Sequence, residues 1–348
     1  KAGFLTGLLF LIAVGLLSLT VNLIFGEIVL RTKGIHQFIG YTKIYLSRNL
    51  KILASFAWFL SIYSALLAYI IISGSFLFNI FISSFYVDPF IYSFLFFIFV
   101  SLALLAGLKK VVWFELFMVL FFILIAFLIF IFGIPKIDTQ NFTHLLNREF
   151  WFLPYGILLF AYAGFSAIPT QRELIRNHTG ILKKAILWGS LIPAVLYFIF
   201  SLSVVGISGE TTSPDVVSGL AQFLDYRIIL LVSIFGLFTI ATSFLALSFA
   251  LIETFKFDYG FKKFNAWVLT VFIPFILFWF GVRNFIEVIA LAGSVAVGIE
   301  GIILVLMYKA AKIKGNREPE YSLKFNPRLL NLIVILFALG AIYAVFFE

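Results

Sequence analysis

Cysteine is absent from the 348 residues, which excludes disulfides, zinc–thiolate sites, iron–sulfur clusters and thiol catalysis. Charge is scarce: Asp, Glu, Lys and Arg make up 12% of the chain, about half the share of a soluble domain. Histidine is limited to His36, His144 and His178, all outside the apolar runs. No acidic pair stands at the end of an apolar run. Asp88, Asp138, Asp215, Asp225 and Asp258 stand singly. An integral membrane prenyl- or glycosyl-transferase would therefore lack its metal–diphosphate ligands, and that class is the weaker alternative. A channel or a flippase for charged lipids would be expected to show a filter or several charges in its lumen, and neither stands out.

Apolar residues are what the chain does have, at 63%. A water-soluble globule of this size could not hide that much apolar surface. Uncharged or nearly uncharged stretches fall at Gly3–Ile28, Ile52–Ile80, Phe90–Leu108, Val111–Ile134, Phe152–Thr170, Ala185–Gly206, Ile228–Ile252, Phe264–Val282, Phe285–Tyr308 and Leu329–Phe347. Each is near the ~20 residues that a membrane helix needs. The expectation is ten transmembrane helices in a single transmembrane domain, all-α and multi-pass, in a cell's inner (plasma) membrane. No cofactor is expected.

The net charge of +9 follows the loops. One alternating set, from Arg31 and Lys33 through Lys109 and Arg172 to Lys324 and Arg328, holds twenty Lys and Arg. The opposite set holds five: Lys1, Lys136, Arg148, Arg227 and Arg283. Basic loops stay cytoplasmic, so the first residue and the C-terminus are expected outside. The basic excess then faces membrane lipids with anionic head groups and needs no nucleic acid. An apolar helix that starts outside also leads to the expectation of one more helix ahead of Lys1, with a cytoplasmic N-terminus in the complete protein.

Loop lengths repeat. Arg31–Lys51 after the first span matches Ile207–Arg227 after the sixth, on opposite sides of the membrane. Spans three and four are joined at Lys109–Lys110, and spans eight and nine at Arg283–Asn284. This rhythm predicts a five-plus-five inverted repeat. Its first repeat would run over 1–134, its second over 150–310, with an extra C-terminal helix at 327–348.

The fifth span carries Pro154, Gly156, Gly164 and Pro169, with small residues through its middle. Glycine and proline weaken a helix, and backbone at lipid depth unwinds only where protein or a water-filled cavity satisfies it. A broken helix frees amides at one half-helix start and carbonyls at the other's end. Amides suit a carboxylate and carbonyls suit an ammonium, so the pair suits an amino acid. A kinked packing helix is the plainer reading.

Intramembrane acids are costly and hence informative. Glu300 lies mid-span and is expected either to stay protonated or to carry a coupling proton. Glu27, Glu115 and Glu253 are read as partners of nearby Lys and Arg, and Glu287 as an ion pair with Arg283 at helical spacing. Ala290, Ser294 and Gly298 form a small-residue seam for packing.

The run Phe160-Ala-Tyr-Ala-Gly-Phe-Ser-Ala-Ile-Pro169 resembles the sixth helix of the amino acid/auxin permease family, within the amino acid–polyamine–organocation superfamily. Tyr63–Tyr69 is similar to the family's third helix. Ile240–Ser248 is similar to its eighth, particularly in bacterial aromatic amino acid permeases, and Lys1-Ala-Gly3 to the end of its first. The resemblance implies the leucine-transporter fold, with its first helix missing from this chain. It implies secondary active transport of an amino acid by alternating access, driven by a sodium or proton gradient.

It also implies site residues. Ala163, Gly164, Phe165 and Ser166 match the unwound region, with Phe160 and Phe165 lining the side-chain pocket. Tyr63 would cap the substrate carboxylate, or else bond a neighbouring helix. Thr242 and Ser243 match a position that gives hydroxyl ligands to sodium in related carriers, although hydroxyls there also bond their own helix.

Overall fold

A computed structural model of the chain describes residues 2–34, 36–82, 86–106 and 111–347, with side chains described except at 106, 111–119, 122, 257 and 347. Lys1, Lys109, Lys110 and the side chain of Glu115 lie outside the described residues.

Each of the ten apolar stretches is helical: α1 Phe4–Leu30, α3 Arg48–Phe81, α4 Pro89–Ala106, α5 Val111–Gly133, α6 Leu153–Ala161 with α7 Ile168–Leu174, α8 Leu182–Ser208, α10 Tyr226–Phe257, α11 Lys263–Trp279, α12 Phe285–Leu291 with α13 Gly298–Lys314, and α14 Pro327–Phe347. Among the described residues, seven of the apolar segments are long enough to cross a membrane. Two short helices sit where loops were expected: α2, Phe38–Tyr45, and α9, Val217–Leu220. Residues 31–47 and 209–225, seventeen each, thus join α1 to α3 and α8 to α10, and each connection holds one short helix.

Helix starts follow local chemistry. Asp88 Oδ1 accepts from Phe90 N–H at 2.7 Å just ahead of Pro89, and Asp225 accepts from Arg227 N–H at 2.8 Å at the start of α10. Outward stripes on α1 (Leu9, Ile12, Leu16) and α14 (Leu332, Leu336, Leu339) are large, apolar and exposed, as lipid-facing surfaces are.

The chain forms two compact units. The first comprises Lys1–Thr6, Ile62–Trp151 and Leu196–Val288. Its core packs Ile72 and Phe76 of α3, Ile125 and Ile129 of α5, Val204 and Ile207 of α8, Val217 and Leu220 of α9, and Ile229 of α10. Trp267 Nε1 donates to Ser101 O at 3.1 Å, tying α11 to α4. The expected Arg283–Glu287 pair is not what forms. Arg283 lies over the Phe90 ring at 4.5 Å and donates to Phe278 O, while Glu287 accepts from Asn284 at 2.5 Å. The cation has found a ring face and the acid a nearer donor.

The second unit comprises Gly7–Ser61, Phe152–Val195 and Ile289–Glu348. Here α6 crosses the segment Ala292–Val297, which is wound as a π-helix between α12 and α13. Gly156 and Gly293 make the crossing: a Cβ on Gly293 would overlap the Gly156 carbonyl, and one on Gly156 would overlap Ala290 O. Ala290 and Ser294 therefore serve close packing, as expected of the seam. Ser294 spends its hydroxyl on Ala290 O at 2.7 Å.

The C-terminal end of α1 is closed by the connection between α13 and α14. A helix end leaves carbonyls unpaired. Here Arg317 donates to Leu30 O at 2.7 Å, and the Asn316 and Arg317 amides both reach Arg31 O at 3.1 Å. Tyr321 OH donates to Leu23 O at 2.7 Å. Glu27, 0% exposed, accepts from Arg31 Nε and Lys312 Nζ, each at 2.7 Å, and from Leu323 N–H at 2.6 Å. The expectation of basic partners for Glu27 holds. Glu320 pairs with Arg317 and accepts from Thr179. Partial burial alone would raise the Glu320 pKa, but these bonds hold it below the usual carboxylate value. On α2, burial pushes the Tyr41 phenol up to about 12 against the opposing Arg172 guanidinium. Arg172 itself donates to Gly34 O and Thr32 O, at 2.5 and 3.2 Å.

Candidate functional site

The fifth span is broken where its composition weakens it. α6 ends at Ala161, Tyr162–Gly164 leave the helical path, a 3₁₀ turn covers Phe165–Ala167, and α7 starts at Ile168. The hydrogen-bond ladder shortens step by step. Ala163 N–H turns to Phe160 O at 3.2 Å, and Gly164 N–H turns to Tyr162 O at 2.7 Å. In an unbroken helix these amides would have used Leu159 and Phe160, four residues back. Phe165 and Ser166 then start the new helical segment, whose first amides have no intrahelical acceptor.

A narrow cleft lies beside the break. It is lined by Ser18, Val21 and Asn22 of α1, by Leu159, Tyr162, Ala163 and Phe165, and by Val297, Gly301 and Phe337. Its free space is about that of one ordered water. No charged side chain lines it among the described residues.

The predicted residues divide between the two units. Phe160, Ala163, Gly164, Phe165, Ser166 and Glu300 belong to the second. Gly164 is exposed, Ala163, Ser166 and Phe160 are half-buried, and Phe165 is buried. The Phe165 ring packs in an aromatic cluster with Phe25, Phe38 and Trp58, at 6.2, 5.7 and 6.4 Å between centroids. It therefore meets the cleft only from within this cluster. Glu300 is 0% exposed, and both its carboxylate oxygens lack a hydrogen-bond partner among the described residues.

Tyr63, Thr242 and Ser243 belong to the first unit. Tyr63 OH donates to Leu269 O on α11 at 3.1 Å. Thr242, 6% exposed, donates to Thr239 O at 2.9 Å, one turn back on its own helix. That bond uses the hydroxyl proton and leaves oxygen lone pairs. Ser243 is half-buried.

Sequence reasoning missed Asn22 and Ser18. They lie four residues apart in a span whose one charge is Glu27, so a polar pair on one helix face was available as a signal. Asn22 Nδ2 donates to Ser190 Oγ of α8 at 3.2 Å.

Comparisons with known proteins agree with the resemblance read from the motifs. The profile of the tryptophan/tyrosine permease family matches residues 1–345. Glutamine transporter 2 of Aliivibrio fischeri is 26% identical over 217 residues, covering 59% of this chain and 55% of that protein. The chain thus spans about half the length of this curated relative. The crystal structure of MhsT in complex with L-phenylalanine is similar at a TM-score of 0.58 and 14% identity, covering 99% of this chain and 91% of that one. That likeness carries the fold alone, all-helical and leucine-transporter-like.

Proposed function

From the premise that the chain belongs to the tryptophan/tyrosine permease family, a family of permeases and not of enzymes, we propose that it is a secondary active amino-acid carrier of the plasma membrane. The observation that carries the proposal is the interruption of the fifth span at Tyr162–Gly164 beside a cleft. Amides at Phe165 and Ser166 would hold the substrate carboxylate and carbonyls ending α6 its ammonium, with Ala163, Gly164 and Phe160 around them. The free space of about one water means that the cleft must widen to admit a substrate, as alternating access requires. The family's name puts tryptophan and tyrosine first among candidate substrates. The Aliivibrio relative's name adds glutamine.

The wider architecture follows the same reading. Spans one to four would be the remainder of the first repeat of a five-plus-five inverted repeat, spans five to nine the second, with α14 outside it. The lengths favour it: α1 and α8 have 27 residues each, α3 and α10 have 34 and 32, and α4 and α11 have 18 and 17. The basic loops would be cytoplasmic and the end of α14 outside.

Two coupling ions are in contention. Sodium would use Thr242 and Ser243 oxygens. Thr242→Val combined with Ser243→Ala is then expected to raise the sodium needed for half-maximal uptake about tenfold; uptake indifferent to sodium removes both residues from the mechanism. A proton would use Glu300, where an ionised carboxylate would have no compensating partner. Glu300→Gln is then expected to flatten the pH profile of uptake, and a profile matching wild type removes Glu300.

The whole reading is tested with the full-length protein in liposomes. A sodium or proton gradient is expected to drive saturable uptake of labelled amino acid. Non-saturating ion currents without uptake would replace the carrier with a channel.

A further inference from the structure

We infer that Asn22 is a contact for the substrate's carboxylate, an assignment that rests on the amino-acid carrier reading. Asn22 is 7% exposed on an otherwise apolar stretch of α1, where a buried carboxamide is costly unless its polar atoms are used. One Nδ2 hydrogen goes to Ser190 Oγ at 3.2 Å. An amide nitrogen has two, so a second N–H remains. It lies at the break: Nδ2 is the side-chain atom nearest to where a Cβ on Gly164 would stand, at 3.8 Å. The Asn22 carboxamide oxygen is not within 4 Å of that point.

Two kinds of donor therefore lie at one glycine, the second Asn22 N–H and the opening amides at Phe165 and Ser166, and Ser18 lines the adjoining cleft together with Asn22. Tyr162 also lines the cleft, and its hydroxyl donates to Leu11 O at 3.4 Å. With no charged side chain among the described lining residues, an anion here must be met by neutral N–H and O–H groups. Donors converging without an acid select a carboxylate over an ammonium. The tie to Ser190 fixes the orientation of the carboxamide, so that binding a substrate need not also order it.

The test uses full-length protein in liposomes and the best transported of tryptophan, tyrosine and glutamine. Its competitor is the corresponding amine without the carboxylate: tryptamine, tyramine or 4-aminobutanamide. Asn22→Asp sets a like charge against the carboxylate, and Asn22→Leu removes the donor at similar volume. Both are expected to raise half-saturation for the amino acid at least tenfold while inhibition by the amine stays within about twofold of wild type. Ser190→Ala cuts the tie alone and is expected to have a smaller effect than either. Equal losses for amino acid and amine, an unchanged half-saturation, or failure of both Asn22 variants to fold would each overturn the assignment in favour of a helix-to-helix tie. A wild-type protein that takes up none of the three amino acids overturns the carrier reading and this assignment with it. Normal wild-type uptake with indifferent Asn22 variants overturns the assignment alone.

Discussion

Gly164→Leu is expected to lower uptake at least about a hundredfold, the equivalent of about 3 kcal/mol of lost binding, while the protein still folds and reaches the membrane. Both halves of that expectation come from local geometry. Gly164 has φ −90°, a backbone angle open to any L residue, so a side chain adds no strain there. A Cβ would meet only Asn22 Nδ2 at 3.8 Å and Tyr162 O at 3.9 Å, both ordinary contacts. The residue is also exposed, so folding does not need the space it leaves. What the isobutyl group fills is the approach to the released amides. Gly293→Ala is the contrast: its new methyl would overlap the Gly156 carbonyl and push α6 off the π-helical segment, so there the folded protein itself is expected to be lost. Size-exclusion profiles of detergent extracts separate the two outcomes. Uptake by Gly164→Leu above about a tenth of wild type would mean that substrate binds elsewhere.

These two glycines show how far the break was legible. Glycine and proline in the fifth span announced an interruption, but composition could not divide labour among them. Gly156 belongs to a crossing with Gly293, and its reason lies far along the chain, where no local pattern reveals it. Only the stretch around Gly164 opens. The apolar spans were legible because lipid imposes length and polarity limits on each segment separately. α2 was hidden for the opposite reason: Phe38, Ile39, Tyr41 and Tyr45 are buried, but Lys43 and the flanking basic residues make the stretch read as a polar loop. The resemblance to the permease family makes Phe165 a pocket residue. Its burial among Phe25, Phe38 and Trp58 depends on three partners from three other helices, and so could not be seen. Asn22 was legible in principle, as the one carboxamide in an apolar helix.

Glu27→Ala is expected to destabilise the folded protein by about 3 kcal/mol, and to lower its thermal midpoint by several degrees, because it leaves two cations without the anion they share. Glu27 is 0% exposed and receives Arg31, Lys312 and the Leu323 amide at 2.6–2.7 Å. Breaking a fully buried pair costs about 3–5 kcal/mol. The lower end applies because the Arg31 and Lys312 side chains are 16% and 29% exposed and recover some hydration. The Leu323 amide has no such recourse, and it belongs to the connection that closes the end of α1. Losing its acceptor should loosen that connection, so proteolysis between Gly315 and Asn326 should quicken before global melting. Glu27→Gln keeps an oxygen for Leu323 N–H and is expected to cost less than Glu27→Ala. Pairing Glu27→Ala with Lys312→Met isolates the charge contribution. If the buried ion cluster is what stabilises this end, the double variant should be less destabilised than the sum of the singles. Strict additivity would assign the effect to packing, and a Glu27→Ala protein that melts with wild type would show that the connection holds α1 through Arg317 and Tyr321 alone.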